Sequence, residues 1–415
     1  MGSEMCIRDR YRSAGRPEAI YVIERLIDLA ADQCGFDRVD LRRKNIIPAA
    51  LMPFTTPVGV TYDSGDYLSA MDLAISRSDW EGFEKRKSIS MKRGLCRGRA
   101  IANYIEVTSG IPRERVELKA KSTGKIQLAV GTMSSGQGHE TSYAQVAGEW
   151  LGLPIERIDF IANDTDKISV GGGSHSGRSM RLVSIAIGEA INDFVNKGKV
   201  ITAHILETNQ EEIDYKSGRF ILKNSREFVT ISQIAEACET LNSLPQELQR
   251  ELVGVGDITN RAGGYPYGSH VCEVEVDPKT GVVKIVEWTG VDDVGLAVNP
   301  LILHGQAHGA IVQGIGQALL ENIYYSEEGF LLSGSFMDYA MPRASDFPFF
   351  RTVITETPAS SHPYGIRPGG EGGTTPALGV VINAIVDALE KFGVKHIEMP
   401  ATPEKIWRAI NSNNV

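Results

Sequence analysis

The stretch VELKAKSTGKIQLAVGTMSSGQGHETSYAQVAGEWLGLP, residues 116–154, decides the fold class. Two strand-like segments flank a turn at Ser122 to Gly124, which predicts a pair of strands. A glycine-rich loop follows, and then a helix that ends at Gly152 and Pro154. Strands and helices mixed in this way predict an α+β fold.

Two later glycine-rich loops also lead into predicted helices, so that such loops occur near 136, 171 and 370. The loop RPGGEGGTTPALG (367–379) precedes a helix in which Thr375 fits the N-cap and Pro376 the first helical position. The apolar stripe of that helix is formed by Leu378, Val381, Ile382, Ile385 and Leu389. The loop VGGGSHSGRSM (170–180) precedes a helix with one apolar face, formed by Met180, Val183, Ile187, Ile191 and Phe194.

The remaining segments add a helix, a hairpin and a more polar region. SHVCEVEVDPKTGVVKIVEWTGVDDVG (269–295) alternates with period two around a turn, which predicts a β-hairpin, and a helix is predicted near 303–321. Residues 200–262 predict a connector or small lobe with a hairpin at IDYKSGRFIL (213–222). PEAIYVIERLIDLAADQCG (17–35) predicts a helix that buries an apolar face, formed by Ile20, Ile23, Ile27, Ala30, Ala31 and Cys34.

Composition limits the classes of function. With 415 residues, 42% of them hydrophobic and 23% charged, the chain can bury a large core in two or three compact units. A net charge of −9 without a long Lys/Arg run argues against a nucleic-acid partner and favours small molecules and protein partners. No stretch approaches the ~18 to 20 apolar residues of a membrane span, and the first residues lack a secretory apolar core, so we expect a cytoplasmic protein without a membrane partner.

Residues that commonly bind metals are scattered along the chain. The five cysteines contain no CxxC spacing, which disfavours a zinc ribbon or a cysteine-bound iron–sulfur cluster in this chain. His304 and His308 are four apart in a predicted helix, but no glutamate stands between them as in zinc proteases, so packing or hydrogen bonding is the default interpretation. No GxSxG elbow follows a strand, so a Ser-His-Asp hydrolase has no support.

Glu371 stands between two pairs of glycines at the entrance of a helix. One interpretation is structural, because acids are mildly favoured near helix N-termini and glycines are common in connections. The other is functional: the glycines let the backbone approach a flat or anionic ligand, and the carboxylate serves as a general base. The local sequence leaves both open.

Two other loops have residues suited to phosphate. Gly136 and Gly138 surround Gln137 at a helix entrance, where exposed N–H groups suit a phosphate or the edge of a heterocycle, although a lone GxG is also common in plain loops. At the second helix entrance, Arg178 stands in the sequence between Ser176 and Ser179, and a guanidinium and hydroxyls suit a phosphate. Together the two loops predict a phosphorylated cofactor.

Five segments of the chain, read in order, resemble the large, molybdenum-cofactor-binding subunit of the xanthine oxidase family of molybdenum hydroxylases, from about Tyr11 to Trp407. The segments are YRSAGRPEAIYVIERLIDLAADQCGFDRVDLRRKNII (11–47), GQGHETSYAQVAGEWLG (136–152), NDTDKISVGGGSHSGRS (163–179), GVDDVGLAVNPLILHGQAHGAIVQGIGQALLE (290–321) and GGEGG with NAIVDAL (369–389). Residues 1–10 match nothing in the family, so we expect either a truncated gene model or a spurious start. The resemblance further implies the C-terminal part of a first molybdenum-cofactor-binding domain at 11–88, and a second such domain at 89–415.

The resemblance also implies roles for individual residues. Glu371 matches the active-site glutamate, the base that deprotonates the molybdenum-bound hydroxyl group. Ser13 and Ala14 match the substrate pocket. The positions that match cofactor-binding residues are Arg12, Gly136, Gln137, Gly138, His139, Glu140, Thr141, Ser176, Gly177, Arg178, Ser179, Asn299, Gln306, Gly369 and Gly370. The pterin dithiolene holds the molybdenum in this family, so no protein metal ligand is expected.

The implied function is the catalytic subunit of a molybdenum hydroxylase acting on an aldehyde or an aromatic N-heterocycle. Its implied cofactor is molybdopterin cytosine dinucleotide. Because this chain has no iron–sulfur or flavin site of its own, the resemblance implies a [2Fe–2S] subunit and an FAD subunit as partners, in a dimer of heterotrimers.

The chain departs from the family pattern at three places. Ser13 stands where carbon monoxide dehydrogenases of the family have a copper-binding cysteine, which argues against carbon monoxide oxidation. Ala14 stands where xanthine oxidase has a substrate-stacking phenylalanine, which leaves purine specificity unsupported. The residues before Glu371 read Arg-Pro-Gly-Gly (367–370) where the family often has Lys-Gly-x-Gly.

Two alternative functions stay open on the sequence alone. Relatives are considerably longer and carry a first domain, a glycine-rich loop and an active-site glutamine ahead of the matched region, so this chain can be read as an inactive fragment that serves at most as an interaction or assembly remnant. The glycine-rich loops alone would also fit a nucleotide-binding module without redox activity.

Overall fold

The computed structural model describes residues 11–241, 243–259 and 263–412, so the segment 1–10 lies outside the described residues. Its α-helices are α1 (Arg16–Cys34), α2 (Arg38–Asn45), α3 (Tyr67–Arg77), α4 (Phe83–Lys92), α5 (His139–Leu151), α6 (Ser179–Ile205), α7 (Ile231–Thr240), α8 (Pro300–Leu319), α9 (Ala377–Ala388) and α10 (Pro403–Asn411). Its strands are β1 (Phe54–Thr55), β2 (Thr61–Tyr62), β3 (Cys96–Ile105), β4 (Glu114–Ala120), β5 (Ile126–Val130), β6 (Ile158–Ile161), β7 (Ile213–Lys216), β8 (Arg219–Leu222), β9 (Phe228–Thr230), β10 (Val253–Ile258), β11 (Tyr267–Val276), β12 (Val283–Asp293) and β13 (Arg351–Thr355). The predicted α+β class is confirmed.

The described part of the chain forms two compact units. Among the described residues, unit 1 comprises 11–107, 264–360 and 369–412, and unit 2 comprises 108–241, 243–259, 263 and 361–368. The predicted domain boundary at 88/89 stays a prediction.

Unit 1 is built on a four-stranded sheet in the order β13-β12-β11-β3. Strands β11 and β12 form the predicted hairpin, in which Tyr267 pairs with Asp293 and Val276 with Val283. Helix α9 packs on β3 and β11, and α1 and α8 pack against α9. Every residue from Ala377 to Val386 is therefore buried, so the predicted apolar stripe is only part of a helix that is enclosed on all sides.

Helix α1 has the predicted span but not the predicted buried face. Ala31 is the one buried member of the predicted face; Val22, Ile23 and Leu26 are about half exposed, at 53%, 51% and 59%. The buried side instead carries charge, with Glu24, Arg25 and Asp28 enclosed.

Polar partners from other elements explain this inverted face. Arg42 of α2 donates through Nε to Glu24 Oε2 at 2.8 Å and through Nη2 to Asp28 Oδ1 at 2.7 Å. Arg25 donates to Asn383 Oδ1 of α9 and to Lys395 O. Buried charges are stable when paired and hydrogen-bonded, so the ion pairs replace an apolar contact on this side of the helix.

Unit 2 is built on a second four-stranded sheet, in the order β10-β4-β5-β6. Strands β4 and β5 pair as predicted around the turn at 122–124, and α5 ends at Gly152 as predicted. The apolar face of α6 is confirmed by the burial of Val183, Ile187, Ile191 and Phe194.

Residues 200–262 contribute to unit 2 in two ways. The predicted hairpin is present as β7 and β8, which form a separate three-stranded sheet with β9. Strand β10 joins the main sheet beside β4. Gly254 and Gly256 allow β10 to approach α6, because a Cβ at either position would collide with α6 backbone at Ala190 or Ala186.

Candidate active site

Glu371 lies in a tight turn that leads into α9. Glu371 O accepts from Thr374 N at 3.1 Å, and Gly372 O accepts from Thr375 N at 3.2 Å. The predicted N-cap at Thr375 is wrong: α9 begins at Ala377 after Pro376, without a side-chain cap. The Thr375 hydroxyl instead donates to Glu371 O, because the turn brings that carbonyl within 3.3 Å.

Ser13 fixes the Glu371 carboxylate. The Ser13 N–H donates to Glu371 Oε1 at 3.1 Å, and the Ser13 hydroxyl shares a 2.8 Å hydrogen bond with Thr375 Oγ1. Ser13 is fully buried and has a φ of 71°, and Ala14 a φ of 26°. A left-handed backbone is costly for residues with a Cβ, so this turn before α1 is strained in order to present its N–H to the carboxylate.

Arg12 joins two of the predicted cofactor-binding positions. Its guanidinium donates through Nε to Gly370 O at 2.7 Å, and through Nη2 to Gln306 O and Oε1 at 2.9 and 2.7 Å. Burial lowers the pKa of Arg12, and the negative charge of Glu371 opposes that effect. The structure therefore brings Arg12, Gln306, Gly370 and Glu371 together in unit 1.

The glycines around Glu371 differ in what surrounds them. A Cβ at Gly369 would collide with Leu303, and a Cβ at Gly373 would lie 2.7 Å from Ala307 O and 2.9 Å from Ala310 Cβ. A Cβ at Gly370 would meet nothing within 4 Å. Gly369 and Gly373 are thus needed for close packing within unit 1, whereas the backbone of Gly370 faces open space.

Asn299 also lies in unit 1, at the start of α8. Its side-chain Oδ1 accepts from Ile302 N at 3.0 Å, so it caps the helix. Its predicted role at the cofactor stays a prediction.

In unit 2 the first predicted loop enters α5. Gly136 and Gly138 have φ values of 98° and 68°, which glycine adopts without strain. Gln137 Oε1 accepts from Ser135 N within the loop. His139 is buried and stacks on Tyr143 with ring centroids 4.7 Å apart, and burial lowers its pKa.

The second predicted loop of unit 2 lies beside the first. Ser174 Oγ donates to Met133 O and lies 3.4 Å from His139 Nδ1. Ser176 and Gly177 both have positive φ values, 53° and 65°. Ser179 is the first residue of α6, and Glu140 and Thr141 are exposed in the first turn of α5.

The guanidinium of Arg178, which was predicted to bind phosphate, makes its hydrogen bonds within unit 2. Nε donates to Ile111 O, Nη1 to Thr132 Oγ1 and Gly173 O, and Nη2 to Arg113 O, all between 2.7 and 2.8 Å. Nη2 also lies 2.7 Å from Glu114 Oε2, and neither side chain is exposed. Because the guanidinium has five N–H donors, this set of acceptors leaves none for a ligand.

Two charged residues beside Glu371 were missed by the sequence analysis. Glu106 follows β3 and its side chain is 1% exposed; Arg16, the first residue of α1, lies 3.7 Å from both Glu106 Oε1 and Glu371 Oε2. Burial and the charge of Glu371 raise the pKa of Glu106 well above its usual range. A signal was present: Glu106 continues the inward phase of Ala100, Ala102 and Tyr104 in an alternating strand, where an acidic residue is unusual.

The described residues lack two features. They contain no group of three or more His, Cys, Asp or Glu side chains placed to hold a metal ion. His304 and His308 both lie against Thr352 Oγ1, at 2.8 and 3.2 Å. Among the same residues, no helix is both long enough and apolar enough to cross a bilayer.

Two family models match the sequence. Both are described as molybdopterin cofactor-binding domains; one covers residues 73–348 and the other residues 4–46. The second match begins inside the segment 1–10.

Individual relatives give the same result. The chain is 31% identical over 421 residues to a carbon monoxide dehydrogenase large chain of Hydrogenophaga pseudoflava, covering 98% of this chain and 52% of the relative. It is 31% identical to the nicotine 6-hydroxylase large subunit of Paenarthrobacter nicotinovorans, covering 97% and 51%. The structure superposes on quinoline 2-oxidoreductase from Pseudomonas putida 86 with a TM-score of 0.87 and 30% identity, covering 97% of this chain and 53% of that one. The chain thus spans about half the length of these relatives.

Proposed function

The chain belongs to the molybdopterin cofactor-binding domain family, and within it to the large-subunit type of the xanthine oxidase family of molybdenum hydroxylases; from this premise we propose that it is the catalytic part of a molybdenum hydroxylase, with Glu371 as its general base. The single observation that carries this proposal is the placement of Glu371. Its carboxylate is oriented by the Ser13 N–H, beside a glycine, Gly370, whose backbone faces open space.

The residues of unit 1 fit a molybdopterin. Glu371 Oε2 is buried and accepts no hydrogen bond from the described residues. An unsatisfied acceptor in a buried position is costly and commonly marks a functional group. Open space at Gly370 and an oriented, unsatisfied carboxylate are what a flat cofactor with a protonated oxygen would need.

Each unit contains residues that we propose for cofactor binding. In unit 1, Arg12 donates both to Gly370 O and to Gln306, and so ties the loop to α8. In unit 2, the N–H groups of the loop at Gly136 to Thr141 and the hydroxyls of Ser176 and Ser179 are proposed to bind the pterin and its phosphates. Arg178 contributes indirectly, because it ties Gly173 O and Thr132 together beneath the second loop.

When bound, the molybdopterin would supply a redox centre that takes two electrons from the substrate and delivers an oxygen derived from water. The task of this chain is then acid–base chemistry. Glu371 accepts a proton, and a positioned base contributes about 10²- to 10⁴-fold to a rate. Ser13 keeps the carboxylate in place for that transfer, since a hydrogen bond to one oxygen fixes the orientation of the other.

We propose an aldehyde or an aromatic N-heterocycle as the substrate. Relatives include a nicotine 6-hydroxylase and a quinoline 2-oxidoreductase, whose names denote N-heterocyclic substrates. Ser13 argues against the copper chemistry of a Cu,Mo-containing CO dehydrogenase, because its hydroxyl is buried against Thr375 and a hydroxyl is a poor substitute for a soft thiolate ligand.

The proposal extends to cofactor form, partners and location. We propose the cytosine dinucleotide form of molybdopterin, separate [2Fe–2S] and FAD subunits as electron carriers, a dimer of heterotrimers, and a cytoplasmic location. The need for partners is supported by the cysteines: three of the four in the described part of the chain, Cys96, Cys238 and Cys272, are buried, and none is grouped for a cluster.

The alternative is an inactive fragment that serves at most in interaction or assembly. The observation in its favour is that the chain spans about half the length of the relatives it matches. Cofactor content separates the two. The 415-residue chain is purified from a host that makes molybdopterin, and its molybdenum, pterin and acid-released CMP are measured. One of each per chain supports the proposal, and pterin-free protein supports the alternative.

A further inference from the structure

Glu106, Glu371 and Arg16 form a group of charges at the proposed base. Arg16 Nη1 lies 3.7 Å from Glu371 Oε2, and Arg16 Nε lies 3.7 Å from Glu106 Oε1. These distances are longer than hydrogen bonds, because Arg16 directs Nε to Val107 O at 2.7 Å and Nη1 to Ser13 O at 3.0 Å. One arginine therefore faces two carboxyl groups without a direct hydrogen bond to either of these oxygens.

The two oxygens that face Arg16 are the ones left unsatisfied. Glu106 Oε1 and Glu371 Oε2 are both buried and accept no hydrogen bond within the described part of the molecule. Ionised carboxylates only accept hydrogen bonds, so two of them cannot satisfy each other. Both oxygens nevertheless lie 3.7 Å from the guanidinium of the same residue, Arg16, and a side-chain interaction with Glu371 is one of the causes that raise the pKa of Glu106. A single proton between them would turn two unsatisfied acceptors into one hydrogen bond.

The charges around Glu106 and Glu371 favour one proton that stays on this pair. Arg12 and Arg16 are the cations that face the pair, and the guanidinium of Arg12 is bound to Gly370 O and Gln306. From the sheet, Tyr104 donates to Asp292 Oδ1 at 2.5 Å, and His270 Nε2 lies 3.0 Å from the same oxygen. Asp292 Oδ1 thus has two polar partners of its own, whereas Arg16, which faces Glu106, also faces Glu371.

We propose that Glu106 is a positioning residue for Glu371: it stays protonated at neutral pH and donates its carboxyl O–H to Glu371 Oε2. The inference rests on the proposed function of Glu371 as the base. With Ser13 N–H on Oε1 and Glu106 on Oε2, both oxygens of the base are fixed, and each keeps a second lone pair for the proton it takes in catalysis. The proton on Glu106 is held and not consumed.

Infrared spectroscopy tests the protonation state directly, because a protonated carboxyl has a C=O stretching band that carboxylates lack. The full 415-residue chain, labelled with ¹³C-glutamate, is measured at pH 7 in H₂O and D₂O. The wild type should show a glutamic acid band that shifts on deuteration. In Glu106→Gln, which retains an N–H donor for Glu371, the intensity of this band should fall by the contribution of one protonated carboxyl group. Glu327→Gln, an exposed site in unit 1, is the matched control and should retain it.

A wild type without any glutamic acid band at pH 7, or a band that Glu106→Gln leaves unchanged, would overturn the proposal. Other buried acids such as Glu24 contribute equally to wild type and variants, so their signal cancels in the difference. If Glu106→Gln does not fold by circular dichroism, Glu371→Gln serves instead. Its acid band must change in position or intensity, because the O–H would then face an amide; an unchanged band again overturns the proposal.

The outcome is separable from that of the proposed function. The band is measured on the chain itself and needs no pterin. Absence of molybdopterin with the band present would refute the hydroxylase function and leave the carboxyl pair. A full pterin load without the band would refute the pair and leave the function.

Discussion

The Ser13 N–H donates to Glu371 Oε1 over 3.1 Å, across a sequence separation of 358 residues. The bond joins the strained turn before α1 to the turn before α9, and Arg12 makes a parallel contact to Gly370 O. The long-range pairing means that the orientation of the proposed base depends on the start of the described chain as much as on its own loop.

Replacing Glu371 by Gln should remove the base without disturbing its surroundings. The amide keeps the shape of the side chain, and its oxygen can still accept from Ser13 N. Turnover of pterin-loaded protein should fall by about 10²- to 10⁴-fold or more, with molybdenum content unchanged. Steady-state kinetics and metal analysis on the same preparation check this. Wild-type turnover at full cofactor content would contradict the role.

A methyl group at Gly370 should affect the cofactor and not the fold. A Cβ there meets nothing within 4 Å, so Gly370→Ala should change the free energy of unfolding by less than about 0.5 kcal/mol while lowering pterin content. Gly373→Ala is the matched contrast: its Cβ would press on Ala307 O, and overpacking of this kind costs about 1–3 kcal/mol. Denaturant unfolding and pterin fluorescence measure the two effects. Undiminished pterin content in Gly370→Ala would show that the open space is not used.

Arg178 should act on stability and not on ligand binding. Glu114 would be left as an unpaired buried charge in Arg178→Met, and breaking a buried pair costs about 3–5 kcal/mol. Arg113→Met, which removes an exposed pair with Asp257, should have a far smaller effect. Urea unfolding of the cofactor-free chain distinguishes these cases. If both variants lost an equally small part of the free energy of unfolding, the phosphate-binding interpretation of Arg178 would be favoured again.

The fold was predictable where local pattern decides structure. Turn residues and alternation identified the hairpin of β11 and β12, and loop composition identified the starts of α5 and α6. The buried face of α1 was not predictable, because its charged side chains are paired or hydrogen-bonded by residues outside the helix: Arg42 lies 18 positions from Glu24, and Asn383 lies 358 positions from Arg25. The spacing of apolar residues along a helix predicts its buried face only when that face is apolar, and it contains no information about charged partners from other elements.

The candidate site shows the same division. Glu371 and its glycines were identified from motifs, but Glu106 has no motif, and only its phase in the strand pointed inward. Arg178 illustrates the reverse case, since an arginine between two serines at a helix entrance is typical of phosphate binding. Here the carboxylate that pairs with it, Glu114, comes from a strand that the loop composition could not place.

Stability should depend on pH through Glu106. Burial and the charge of Glu371 raise its pKa in the folded protein, whereas in the unfolded chain a glutamate titrates near about 4.3. At pH values between these two pKa values, the native state holds one more proton than the unfolded state. The stabilising contribution of this proton is therefore complete below the pKa of the unfolded chain, and it is lost as the pH rises through the pKa of Glu106 in the folded protein. The free energy of unfolding of wild type minus that of Glu106→Gln should therefore fall with rising pH, by at most about 1.4 kcal/mol per pH unit. Urea titrations of both proteins at several pH values measure the difference, and a difference that rises or stays flat over the window would show that Glu106 is ionised in the folded chain.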